Sequence, residues 1–196
     1  MFPDWTGKTV CVLGAGPSAS EIAPAVAGRF PIIAVNMSFK LVTPSDVLYA
    51  ADCAFWRTVP AARDFPGLKL CPDERALVIC PSIVPVEIQR TNGHHHTRMI
   101  RGPVGTIGSG GNGGFQAVNL AAQFGAERIL LAGLDYGGGH WHGEHKPPLW
   151  NAPVPTMRKW REALDAEAET LASWGIHVGN LSSRSTLRNY PVISLS

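Results

Sequence analysis

The chain has no run of eighteen apolar residues, no C-x-x-C pair and no block of like charges, and each absence removes a class of protein. Without a long apolar run there is no candidate membrane helix. Met1 to Thr9 lacks the basic and apolar regions of a secretory leader, so a cytoplasmic protein is expected. The cysteines Cys11, Cys53, Cys71 and Cys80 fit neither zinc-finger spacing nor a thiol redox pair and read as buried, reduced thiols. No local signature marks Cys53 or Cys71 as a nucleophile. Seventeen Lys and Arg against fifteen Asp and Glu leave a net charge of +2 with the arginines scattered, which argues against nucleic-acid or membrane partners. With 196 residues, 45% hydrophobic and 16% charged, one ordinary domain spanning 1–196 is expected.

Short apolar runs recur between turn signals at Val10 to Leu13, Ile32 to Val35, Val47 to Tyr49, Leu77 to Ile79, Ile129 to Ala132 and Ile176 to Val178. Continuous rather than alternating, they suit parallel strands covered on both faces. Helical stretches lie between several of them. Ser18 to Ala27 is closed by Gly28, Gln116 to Phe124 by Gly125, and Thr156 to Trp174 by Gly175. In the last, Met157, Trp160, Leu164, Leu171 and Trp174 keep helical spacing and read as core. The alternation predicts an α/β fold: a Rossmann-like, doubly wound, mostly parallel sheet in three α/β/α layers. Ligands bind such sheets at the carboxyl ends of the strands. Residues 81–106 and 137–155, rich in proline, glycine and histidine, read as lid-like loops.

The motifs cluster at those carboxyl ends. Gly14-Ala15-Gly16-Pro17-Ser18 turns the first strand into a helix, and Ser18 with Glu21 has the spacing of a capping box. Glycines and exposed N–H groups at a helix start suit a phosphate. The third glycine of a dinucleotide fingerprint is missing and no Gly-Lys-Ser/Thr follows, so neither NAD, flavin nor Walker-type ATP binding is expected. The competing reading is a turn whose glycines serve geometry alone. Gly108 to Gly114 is a second glycine-rich turn before a helix, where Ser109 suits a phosphate or sugar and a flexible hinge is the alternative. Asn180 to Ser185, with Ser183 and Arg184, suits a phosphate or sugar equally with a plain polar turn.

His140-Trp141-His142-Gly143-Glu144-His145 follows Asp135 and Tyr136 and is the densest titratable cluster in the chain. It suits a general base. Histidines two and three apart also suit a transition metal, and a solvated loop is the third reading. His94-His95-His96 reads as loop surface or lid, His177 as a structural histidine and Asp46 as a cap or turn residue.

Assembled in order, these residues resemble a known superfamily. Gly14-x-Gly16-Pro17-Ser18, Val35-Asn36, Ser109-Gly110 before an alanine-rich helix, and Ile129-Leu130-Leu131-Ala132-Gly133-x-Asp135-Tyr136 carry the likeness, from Lys8 to Arg188. The superfamily joins bacterial lipooligosaccharide sialyltransferases to hydroxymethylpterin pyrophosphokinase and motility accessory factor-like proteins. The His140 to His145 run followed by a tryptophan-bearing helix looks most like its small phage or prophage members. The resemblance implies a nucleotide donor, CMP-sugar or ATP-like, and transfer of a sugar or pyrophosphoryl group to an acceptor hydroxyl. Homo-oligomers remain open.

By the same resemblance, Gly14, Gly16, Pro17 and Ser18 match the phosphate loop, Asn36 an asparagine near the phosphates, and Ser109 and Gly110 a pair contacting nucleoside or sugar. His145, or else His142, matches the general base, and Asp135 or Asp52 would hold Mg²⁺ if pyrophosphoryl transfer is the reaction. The chain departs from the sialyltransferase pattern at Ala50, where that family has asparagine, and at Gly137, with Tyr136 one place before its tyrosine. Two further readings stand beside transfer: a phage-derived accessory protein that binds nucleotide without catalysis, and a metal-dependent hydrolase built on His140 to His145.

Overall fold

The computed structural model describes residues 1–43 and 45–195. The first apolar runs form strands β1 (Thr9–Leu13), β2 (Ile32–Val35) and β3 (Val47–Tyr49), with helix α1 (Ala19–Val26) after β1 and a 3-10 turn, Asn36–Lys40, after β2. Helices α2 (Cys53–Thr58) and α3 (Pro60–Arg63) lead to β4 (Leu68–Cys71), and α4 (Arg75–Ile79) leads to β5 (Ile83–Pro85). Four two-residue strands follow: β6 (Glu87–Ile88), β7 (Arg90–Thr91), β8 (His94–His95) and β9 (Thr106–Ile107). Then come α5 (Gly113–Gln123), β10 (Arg128–Ala132), α6 (Val154–Asp165), α7 (Ala168–Ser173) and β11 (His177–Asn180).

Seven strands pair in parallel in the order β11-β10-β1-β2-β3-β4-β5. β1 comes first in sequence yet lies inside the sheet. The chain therefore winds outward through β2 to β5, then returns to the other side of β1, and that reversal opens a crevice at the carboxyl ends. Side chains alternate across the sheet. Val10 and Val12 pack with Phe115, Leu120, Leu164 and Leu171 on the α5 to α7 face, whereas Cys11 and Leu13 pack with Ala19, Ala23 and Trp56 on the α1 to α4 face. Each fully buried aliphatic side chain contributes about 1.5–3 kcal/mol, which is what holds helices on both faces.

Several sequence expectations change. Leu77 to Ile79 is not a strand but the end of α4, and Val78 is 86% exposed, impossible for a strand covered on both faces. A three-residue apolar run does not separate helix from strand by periodicity. The real strands there, β4 and β5, were hidden by Lys69, which is buried, and by Pro85. The expected helix from Thr156 to Trp174 starts earlier, at Val154 with proline in its first turn, and divides into α6 and α7 around Glu167. Glu167 is buried and paired with Arg98 of the long connection.

That connection is hydrogen-bonded to α5. Asn119 of α5 accepts from the N–H groups of Ile100 and Gly108 and donates to the Ile100 carbonyl, while Gln123, one turn further, bonds Gly105, Thr106 and Ile100. His94 and His95 sit exposed on a hairpin whose turn, Asn92-Gly93, is left-handed at both residues. His177 is exposed at the start of β11, not a buried structural histidine. Asp46 acts as the expected turn residue, its carboxylate accepting from the Ile32 N–H at 2.9 Å.

Candidate functional site

A cavity of about 410 Å³ opens at the carboxyl ends of β1, β2, β3 and β10. Gly14 to Gly16, Asn36, Ala51 and Asp52, and Gly133 to Tyr136 supply the strand ends, and Gly111 to Gly114 the start of α5. His140, His145 and Trp150 of the 137–155 loop, with Trp160 of α6, close the opposite side. Of the residues singled out in the sequence, Gly14, Gly16, Asn36, Asp52, Ser109, Asp135, Tyr136 and His145 line this cavity. Pro17, Ser18, Gly110, His142, Ser183 and Arg184 do not. Arg184 instead pairs with Glu21 on the surface at 3.0 Å, which also removes Glu21 from the expected capping box.

The first glycine turn is already filled from within. Ser18 N–H donates to Asp135 Oδ2 at 2.8 Å and Ser18 Oγ to Asp135 Oδ1 at 2.6 Å, while Ser182 Oγ donates to Oδ1 at 2.7 Å. Gly16 N–H donates to the Gly133 carbonyl at 2.8 Å. A carboxylate of the chain therefore stands where the sequence placed a phosphate, and with three hydrogen bonds it has little left for Mg²⁺. The glycines have a packing reason. A Cβ at Gly14 would meet the Gly133 oxygen at 2.5 Å, and one at Gly16 would meet Asp135 Oδ2 at 2.6 Å.

The free helix start belongs to α5. Asn112 caps it, its Oδ1 accepting from Phe115 N–H at 3.0 Å, and the N–H groups of Gly113 and Gly114 have no acceptor among the described residues. Both glycines line the cavity at the positive end of the helix dipole. Gln116 fixes the preceding turn. Its Nε2 donates to the Ser109 carbonyl at 2.9 Å and its Oε1 accepts from Tyr49 Oη at 2.7 Å. Tyr136, left-handed at φ 52°, donates its phenol to Asn112 Oδ1 at 3.1 Å, and burial with Asp165 nearby pushes its pKa up, so it stays a donor. Asn112 and Gln116 were overlooked in the sequence, although an asparagine three places before Phe115 is a cap signal. Trp160 is a cavity residue rather than core, edge-on to Trp150 with centroids 6.1 Å apart.

On the far wall, the histidine loop is tied down. Trp141 N–H donates to the Ala15 carbonyl at 3.1 Å, and His145 and Asn151 exchange two hydrogen bonds of 2.8 Å. The His140, His142 and His145 rings lie 4.5 to 5.2 Å apart, centre to centre. Burial lowers the pKa of all three. His142 falls furthest, from 6.5 to about 4, through burial and then the charges of His145 and His140. The folded chain thus refuses protons that the unfolded chain accepts below 6.5. Stability in urea, with chelator present, is expected to fall as pH drops from 6.5 toward 4, more steeply than in a variant with all three histidines replaced by asparagine. Parallel profiles would show that the cluster does not titrate this way.

The fold defined by this sheet order is a Rossmann-like α/β domain, and solved structures similar to it include a sialyltransferase. The sialyltransferase CstII from Campylobacter jejuni in complex with the substrate analogue CMP-3FNeuAc superposes with a TM-score of 0.58 at 14% identity, over 95% of this chain and 86% of that one. The CstII complex with cytidine-5'-monophosphate gives 0.58 at 14% identity, over 96% and 85%. The complex with a trisaccharide acceptor and CMP gives 0.57 at 12%, over 95% and 86%. No family model and no curated protein matches the sequence. At this identity the likeness carries the fold. No helix among the described residues is long and apolar enough to cross a membrane.

Proposed function

We propose that the chain binds a nucleotide sugar in the cavity and transfers the sugar to an acceptor hydroxyl. The observation that carries this reading is the facing of two unlike walls: unpaired N–H groups of α5 on one side and uncharged imidazoles on the other. A leaving phosphate suits the first wall, held by the Gly113 and Gly114 amides, with Ser109 and Asn36 lining the same space. Preorganised donors of this kind usually supply the largest share of rate enhancement. An attacking hydroxyl suits the second wall, where His145 takes its proton. The binding of CMP and a CMP-sugar analogue by the similar structures favours a cytidine donor over ATP, and hence sugar over pyrophosphoryl transfer.

The phosphate position in this proposal moves from Gly16–Ser18 to α5, because Asp135 holds the former. Magnesium has no part in it. Among the described residues the metal-competent group contains neither Asp135 nor Asp52, and Asp52, raised in pKa by burial and by Asp73, is a poor cation ligand alone. A thermal-shift panel of cytidine, uridine, adenosine and guanosine mono-, di- and triphosphates tests the reading. Cytidine monophosphate at 100 times its dissociation constant is expected to add about 2.7 kcal/mol of stability. No shift with any nucleotide would end this proposal.

A further inference from the structure

The histidine loop brings three ligand atoms together with no carboxylate or thiol among them. The ligating nitrogens of His140, His142 and His145 all lie within 4.8 Å of one another. We propose that these three histidines bind one divalent transition ion of the zinc type, with its open coordination position facing the cavity. This does not rest on the nucleotide reading, since it uses only the cluster itself.

Three observations converge. Zinc–nitrogen bonds of about 2.0–2.1 Å in a tetrahedron place ligand nitrogens roughly 3.4 Å apart, so modest ring rotations close the set. His142 Nε2 is buried and has no hydrogen-bond partner, a cost that a bound ion would relieve. The loop backbone is held at both ends of the cluster, by the Trp141 to Ala15 bond and the His145–Asn151 pair, so the ligands are arranged before an ion arrives.

The chemistry of the donors selects the ion. Imidazole suits zinc, copper, nickel and iron, whereas magnesium and calcium want oxygen. Three protein ligands are also the number that leaves a position for water or substrate. His140 and His145 line the cavity, so that position opens toward it. A nitrogen that holds the ion cannot take a proton. In the loaded protein the proton acceptor is then hydroxide on the ion, formed when bound water loses one proton, an ionisation that zinc brings to about pH 7.

The full-length chain, stripped with chelator, is mixed with equimolar zinc(II) or cobalt(II) and passed over a desalting column. One zinc per chain should be retained, and cobalt should show the strong visible absorption of a tetrahedral site. His142→Ala and His140→Asn should each lower affinity by more than the roughly 10–100-fold that even outer partners of ligands are worth. Replacing His94, His95 and His96 by alanine should change nothing. Failure to retain an ion, retention undiminished in both cluster variants, or loss in the hairpin variant would overturn the proposal. A cytidine monophosphate thermal shift in chelator, run alongside, reports the nucleotide site separately.

Discussion

Asp135→Ala is expected to destabilise the fold by on the order of 3–5 kcal/mol. The carboxylate is 3% exposed and accepts from Ser18 twice and Ser182 once, both serines being equally buried. Removing it leaves three buried donors without their acceptor, and loosens the contact between the β1 turn and the segment after β11. Asparagine keeps one acceptor oxygen but turns an NH₂ toward a donor, so Asp135→Asn should recover only part of the loss. Ser182→Ala, which removes one donor with its partner still satisfied, should cost about 1 kcal/mol. Urea unfolding measures all three as a lower midpoint at constant slope. Near wild-type stability in Asp135→Ala would mean that water reaches this carboxylate and that the buried anchor is not one.

His145→Ala is expected to lower turnover of a nucleotide-sugar donor by about 10²–10⁴-fold, the usual worth of a positioned base. Cytidine monophosphate binding should be unchanged, because the amides that would hold its phosphate belong to α5 on the opposite wall. The split between turnover and binding is the diagnostic part. A variant with full activity would remove His145 from the chemistry, and one that lost nucleotide binding as well would show a collapsed loop. His145 exchanges its backbone bonds with Asn151, and these survive truncation of its side chain.

Much of the architecture was legible because strands β1, β2, β3 and β10 are apolar on both faces, and β1 and β10 also stand between glycines. The edge strands were not, since a lysine in β4 and a proline closing β5 break the pattern that burial imposes. The cavity rim was legible at Gly14, Asn36, Asp52 and Asp135 for a topological reason, since the carboxyl ends of parallel strands converge wherever the winding reverses, and at Ser109 and His145 through the glycines and histidines around them. What escaped was the partner of the first glycine turn. Ser18 and Asp135 are 117 residues apart, and nothing local marks a carboxylate as internal to the fold rather than open to solvent. Trp160 escaped for the opposite reason, because helical spacing assigns a side chain to a face without saying that the face ends at a cavity.

The free start of α5 has a consequence for selectivity. Among the described residues lining the cavity there is no lysine and no arginine. An anion bound there, as proposed, would be held by fixed amide dipoles and neutral hydroxyl or amide groups, so few counterions would be released on binding and added salt would have little to screen. Fit to the rigid contour set by Gly113, Gly114 and Tyr136 then decides which anion stays, whatever the ionic strength outside.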